Sequence, residues 1–238
     1  MPKLVLLRHG QSRWNIQQRF TGWVDVDLTE AGEAEALSAG RLIKDEAIPL
    51  DRVYTSVLTR AIRTADLALW TAGQLWLPLI KDWRLNERHY GALTGREHGP
   101  TRAEYGDEQV RIWRRSFDVP TPPLAPGGEY DFGADRRYGG VVPPVTESLK
   151  TTLERVLPYW VGEIAPRLTA GENLLVVAHG NSLRSIVKHL FSVSDAQIPG
   201  VEIPTGNPLL VQLTHDLRPF SARYLNEGAA SPLPVMAA

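Results

Sequence analysis

The chain has 238 residues, 43% hydrophobic and 22% charged, with a formal net charge of -1 and no cysteine, enough apolar sequence to bury a sizeable core in one large α/β domain or two small ones, of which a single domain over residues 1–238 is favoured. The near-neutral charge excludes the whole-chain basic field that suits nucleic acid, and the missing thiols exclude disulfides and thiolate metal sites. A charged leader with an apolar core is lacking, as is an apolar stretch near about 20 residues, so a cytoplasmic protein without membrane contact is expected.

The first element is Leu4-Val5-Leu6-Leu7, an apolar run that ends in Arg8-His9-Gly10. Such a run reads as a buried parallel strand, and the carboxyl end of a parallel strand opens on the ligand crevice of an α/β sheet. Gln11 to Trp23 is polar and aromatic and reads as a loop or short helix over that crevice. Ser12, Asn15, Thr21 and Gly22 offer it hydroxyl, amide and backbone donors for phosphate oxygens. Thr29 is a candidate N-cap for a helix whose apolar positions, Ala31, Ala34, Leu37, Gly40, Ile43 and Ala47, recur every three or four residues up to Pro49.

Val53 to Ser56 reads as the second strand, and Thr59 opens a helix with Arg60 in its first turn. A cation there opposes the helix dipole, a mismatch that a nearby phosphate would relieve. Trp76 to Ile80 forms an edge strand at most, because Pro78 donates no ladder hydrogen bond. A loop bearing Glu87 follows, then a helix over Thr101 to Phe117 that carries Arg114 and Arg115 near its end. Adjacent helix positions diverge, so both arginines meet one ligand only if it lies across the helix end.

Residues 118–145 are rich in proline and glycine and read as an irregular insertion shaping one side of the entrance. Thr146 begins a helix that Pro158 should kink. Asn173 to Ala178 repeats the design of the first strand and ends in His179-Gly180, after which Asn181-Ser182 can cap the helix Leu183 to Phe191, placing the N–H groups of Gly180 and Asn181 at an anion site. A last strand spans Leu209 to Leu213. From about residue 225 to 238 the chain loses periodicity and charge, and disorder is expected. The whole reads as an α/β fold with a mostly parallel central sheet flanked by helices.

Two strand ends therefore each deliver a histidine, with Arg8 beside one of them. A phosphoryl group carries close to two negative charges at neutral pH, and arginine's planar fork suits its oxygens. Imidazole is a basic, uncharged nucleophile near pH 7 that needs no metal to activate it. These residue types point to phosphoryl transfer without a metal, although spacing alone treats His9 and His179 alike.

Arg8-His9-Gly10 near the start, His179-Gly180 near the end, and Arg60 and Glu87 between them resemble the histidine phosphatase superfamily. Arg19 to Trp23, Leu85 to Leu93, Trp113-Arg114-Arg115, His179 to Arg184 and Ile203 to Gly206 are similar to its 2,3-bisphosphoglycerate-dependent phosphoglycerate mutase branch, from about residue 3 to 213. The resemblance implies interconversion of 2-phosphoglycerate and 3-phosphoglycerate, with 2,3-bisphosphoglycerate as primer and intermediate. It implies His9 as the phosphorylated nucleophile, His179, if protonated, as a stabiliser of charge on the transferring group, and Glu87 as acid and base toward the hydroxyl. Arg8 and Arg60 would hold the phosphoryl group, and Tyr90, Arg114 and Arg115 the carboxylate end and far phosphate. A homodimer or homotetramer is implied as well, with Trp70 and Trp76 as contact candidates.

The chain departs from the branch at Leu93 to Pro100, where His98 stands in place of an anion-contacting lysine. An imidazole there would be charged at low pH and neutral as pH rises. Three rival readings remain: a phosphatase on the same fold, to which a second anion site is useless, a binding module without catalysis, and a metal hydrolase, which lacks a tight His, Asp and Glu group.

Overall fold

The computed structural model describes residues 1–234. Strands β1 (Lys3–Arg8), β2 (Arg52–Thr55), β3 (Leu79–Lys81) and β4 (Leu174–Ala178) run parallel, and β5 (Leu209–Leu213) and β6 (Pro219–Tyr224) extend the sheet in the order β3-β2-β4-β1-β5-β6. β5 is antiparallel to β1, and β6 antiparallel to β5. The helices are α1 (Arg13–Ile16), α2 (Glu30–Asp45), α3 (Thr59–Ala72), α4 (His98–Tyr105), α5 (Asp107–Arg115), α6 (Leu149–Tyr159), α7 (Ala165–Thr169) and α8 (Gly180–Leu190).

Alternation along the strands sorts their side chains to two covered faces, which is why the runs are apolar throughout. Leu4, Leu6, Val176 and Ala178 join a core with Val156 of α6 and Ile186 of α8. Val5, Leu7, Val53 and Leu175 pack on the opposite face with Ile43 of α2 and Leu69 of α3. Close backbone approach needs glycine at Gly10 and Gly32. A Cβ on Gly10 would lie 2.1 Å from the Gly32 carbonyl oxygen, and one on Gly32 equally near that of Gln11.

Several elements differ from the sequence expectation, each for a local reason. Thr29 caps α2 as expected, its hydroxyl accepting the Gly32 N–H at 3.0 Å, but the helix stops at Asp45 because Ala47 turns left-handed at φ 48°, before Pro49 is reached. β3 begins after Pro78, whose carbonyl still accepts from Val53 N–H. The single helix expected over 101–117 is two, divided at Gly106, whose φ of 84° no helix tolerates. Pro158 lies within α6, and a π-turn at Trp160–Ile164 carries the chain on into α7. The helix expected from Leu183 starts at Gly180, with His179 as N-cap residue and Ser182 Oγ accepting the His179 N–H at 3.1 Å.

β6 was not apparent in the sequence because it is an edge strand of mixed burial, without an apolar run. The insertion is irregular apart from the 3₁₀ turn Arg136–Tyr138. Tyr138 is buried there, stacked 4.8 Å from the Trp23 ring. The tail expected to be disordered is instead tied down over 225–234. Asn207 Nδ2 donates to the carbonyls of Asn226 and Ala229 at 2.9 and 3.1 Å, and Leu233 packs on the core. That anchor is remote in sequence, so composition could not show it; residues 235–238 lie outside the described residues.

Candidate active site

Strand register builds the centre of the site. Arg8 pairs with Ala178 across β1 and β4, and His9 N–H continues the ladder to the Ala178 carbonyl at 3.0 Å. The next residues, His9 and His179, therefore stand side by side, their ring centroids 4.9 Å apart. Both are buried. Burial, followed by the positive charges of Arg60 and Arg8, pushes the His9 imidazole well below its ordinary pKa. His9 is thus neutral at pH 7, and its Nδ1 lies 2.7 Å from the Gly10 carbonyl. A carbonyl only accepts, so Nδ1 carries the proton and the Nε2 lone pair is free for attack.

His179 is depressed in the same way, by burial first and then by Arg60, His9 and Arg8. Burial, and after it the surrounding positive charges, keep the ring neutral in the protein by itself, so the condition attached to its expected role, that it be protonated, is not met there. Its Nε2 lies 2.8 Å from Ser56 Oγ.

Arg60 is in the first turn of α3, fully buried, with Nη1 donating to the Val24 carbonyl at 2.8 Å and Nη2 to that of Gly22 at 2.9 Å. The helix end it would otherwise disfavour is capped by Asp25, whose carboxylate accepts from the Thr59 N–H and hydroxyl at 2.7 and 2.9 Å. Burial lowers the Arg60 pKa to about 10, so the guanidinium remains charged at neutral pH. Arg8 Nη1 donates to the Ile203 carbonyl at 2.9 Å, while its buried Nε has no partner among the described residues.

Glu87 is set by three elements. Its Oε1 accepts the N–H of Arg88 at 2.7 Å and that of Asn181 at 3.1 Å, while its backbone carbonyl accepts from Trp23 Nε1 at 2.6 Å. Of the two N–H groups expected at an anion site, that of Asn181 is thus met by the Glu87 carboxylate itself.

The cavity has two joined lobes. The inner, about 110 Å³, is lined by Arg8, His9, Asn15, Thr21, Arg60 and His98, together with Arg19 and Phe20. The outer, about 270 Å³, is lined by Arg115, Gly180, Asn181, Arg184, Glu202 and Ile203. Arg8, Glu87, Tyr90 and Arg114 belong to both. Cations outnumber carboxylates in each lobe, so a molecule with an anionic group at either end suits the pair. Arg114 and Arg115 share the end of α5 as the sequence required, and Arg115 forms an ion pair with Glu202 across the outer lobe.

Ser12 and Gly22 do not reach the cavity. Ser12 is buried as the cap of α1, exchanging bonds with Asn15, and so orders Asn15, which does line the cavity. Gly22 turns at φ 54° and presents its carbonyl to Arg60. His98 packs edge-on against Phe20 at 4.4 Å, and burial, then Arg114 and Arg102, lowers its pKa to about 4. A charged imidazole there near neutral pH is thus disfavoured in the protein by itself.

Arg184, Glu202 and Ser56 were not singled out from the sequence. Helical spacing could have placed Arg184, which follows Asn181 by three residues and donates to its Oδ1 at 3.0 Å. Ser56 ends β2 as the histidines end β1 and β4. Glu202 carries no local signal at all.

A model of the histidine phosphatase superfamily (branch 1) matches residues 4–227. A Caulobacter sp. (strain K31) protein named 2,3-bisphosphoglycerate-dependent phosphoglycerate mutase is 66% identical, over 99% of this chain and 100% of its own length. One of the same name from Zymomonas mobilis subsp. mobilis is 56% identical over 95% of this chain and 100% of its own. Among solved structures, a mycobacterial glucosyl-3-phosphoglycerate phosphatase superposes with a TM-score of 0.71 at 24% identity, covering 94% of this chain and 97% of that one. Bacillus stearothermophilus YhfR gives the same TM-score and identity over 97% and 98%. These two matches speak for the fold alone.

Proposed function

The chain belongs to the histidine phosphatase superfamily, and from that premise we propose that it interconverts 2-phosphoglycerate and 3-phosphoglycerate through a phosphohistidine at His9. The observation that carries this reading is the pairing of a neutral, correctly protonated His9 with two cationic lobes that share Arg8, Arg114 and Tyr90. A phosphatase acting on one phosphate has no use for the outer lobe.

The residues fit a bisphosphorylated sugar acid, since buried guanidinium nitrogens of Arg8, Arg19 and Arg184, which line the cavity, lack acceptors among the described residues. Arg8, Arg60 and Asn15 hold one phosphoryl group, and Arg114, Arg115, Arg184 and Tyr90 hold the far anion. When bound, 2,3-bisphosphoglycerate supplies the phosphoryl group that primes His9. In the transfer step Glu87 takes the proton of the substrate hydroxyl as its oxygen attacks phosphorus. The P–N bond breaks and its electron pair returns to His9 Nε2. In the reverse half-reaction Nε2 attacks, the P–O bond breaks and Glu87 returns the proton to the departing oxygen. Arg8 and Arg60 spread the charge of the transferring group, the task that a metal ion performs elsewhere.

His98 borders the inner lobe as a neutral contact. The 118–145 insertion forms one wall of the entrance, where Tyr130 meets Trp14 edge-on at 6.3 Å. Residues 1–238 act as one cytoplasmic domain, and its assembly as a homodimer or homotetramer uses the exposed Trp70 and Trp76; light scattering measures that mass.

The test measures 3-phosphoglycerate consumption with and without 2,3-bisphosphoglycerate, alongside free phosphate. Conversion to 2-phosphoglycerate that depends on the primer, with little phosphate released, is expected. Stoichiometric phosphate release would make the enzyme a phosphatase.

A further inference from the structure

Ser56 has a place in this site that follows from the same register as the two histidines. Thr55 of β2 pairs with Val177 of β4, so Ser56 continues past the strand end beside Ala178 and His179. It is fully buried, and its Oγ makes two contacts: the Leu58 N–H donates to it at 3.2 Å, and His179 Nε2 lies 2.8 Å away.

A hydroxyl has one proton to give. Were Nε2 to carry a hydrogen and donate to Oγ, that hydroxyl proton would lack an acceptor among the described residues in a buried position, a situation folded proteins avoid. With Oγ donating into the Nε2 lone pair, the hydroxyl and Nε2 are both satisfied. The proton of the neutral ring then sits on Nδ1, which is buried and has no hydrogen-bond partner among the described residues.

We propose that Ser56 is a positioning residue that fixes His179 as its Nδ1–H tautomer, so that an uncharged His179 donates a hydrogen bond to an oxygen of the transferring phosphoryl group. The proposal rests on the phosphotransfer reading of the site. Both histidines then hold the same tautomer and use it in opposite ways. His9 turns its bare Nε2 to phosphorus, whereas His179 has bare Nε2 turned to Ser56 and offers N–H. Donation of this kind needs no imidazolium beside Arg8 and Arg60, in keeping with the depressed basicity of the ring.

The experiment records the imidazole nitrogen resonances of the resting, ¹⁵N-labelled enzyme at pH 7, with His179 assigned by its disappearance in His179→Asn. A protonated Nδ1 and a bare Nε2 on His179 are expected. In Ser56→Ala the two tautomers should mix, and kcat should fall by roughly 10- to 100-fold, the usual loss when an orienting partner is removed, with KM within about twofold. Ser56→Thr, which keeps a hydroxyl, should restore the wild-type resonances and most of kcat. A His179 protonated at Nε2 or at both nitrogens in the wild type would overturn the proposal, as would an unchanged tautomer and kcat in Ser56→Ala. The spectrum is recorded without substrate and is decisive even if Ser56→Ala fails to fold. A wild-type enzyme with the expected resonances but no mutase turnover would count against the phosphoglycerate reading alone.

Discussion

Replacing Arg155 by methionine should unsettle both the stability of the protein and the loop that carries Glu87. Arg155 holds Glu147 through two bonds, Nε to Oε1 at 2.7 Å and Nη2 to Oε2 at 2.8 Å, with the side chains only 7% and 3% exposed. It also donates to the carbonyls of Arg84 at 2.7 Å and Glu87 at 3.2 Å, while Glu147 Oε2 accepts the His89 N–H at 2.8 Å. The pair thus clamps the chain on either side of Arg88. Removing one partner of a buried pair costs about 3–5 kcal/mol. Urea unfolding of Arg155→Met against wild type should therefore show a loss of about 3–5 kcal/mol at pH 7. Adding Glu147→Met should recover part of the loss. A loss below about 1 kcal/mol at pH 7 would refute the view that the clamp is a charged, desolvated pair.

Glu87→Gln keeps an acceptor at the α8 N-terminus but carries no proton between hydroxyls, so kcat should fall by about 10²-fold or more with KM little changed; a purely raised KM in steady-state assays would make Glu87 a binding residue. His98→Lys should lower KM for 3-phosphoglycerate several-fold. The ratio to wild type should stay flat from pH 6 to 8, because a pKa of about 4 leaves His98 neutral across that range; a ratio that varied steeply would show His98 titrating with ligand bound. His9, His89 and His179 are each buried with lowered pKa values, that of His89 near 4. The unfolded chain takes up their protons below about pH 6.5, so stability is full above that pH. It should fall on acidification toward pH 4 by up to about 1.4 kcal/mol per pH unit for each. Constant unfolding free energy between pH 6.5 and 5 would contradict their burial as neutral rings.

The sequence displayed whatever rests on local pattern. Leu4 to His9 and Leu174 to His179 read as twin buried strands because helices cover both faces of the sheet, and that pattern alone brought the two histidines to one edge. Thr29 was legible as a cap, since its partner is three residues away. Contacts across long separations were not legible: Asp25 capping α3, Asn207 fastening the tail, and Glu202 facing Arg115. Ser12 misled because a hydroxyl beside a phosphate loop and a hydroxyl capping a helix have the same residue type, and only packing separates them. The charge state of His179 stayed open in the sequence for a related reason, because burial among Arg60 and Arg8 is a property of the assembled site. The break at Gly106 was within reach, as glycine in a helical stretch is a known weak point.

The central claim is a phosphoryl group carried on His9 Nε2 and passed to a sugar acid. Its most direct measurement incubates the enzyme with ³²P-labelled 2,3-bisphosphoglycerate, isolates the acid-labile, base-stable label, and then chases with unlabelled 3-phosphoglycerate. The account predicts label on His9 in the wild type, none in His9→Ala, and its appearance in phosphoglycerates during the chase. Label that persists in His9→Ala, or that leaves as inorganic phosphate in preference to the sugar acid, would contradict it.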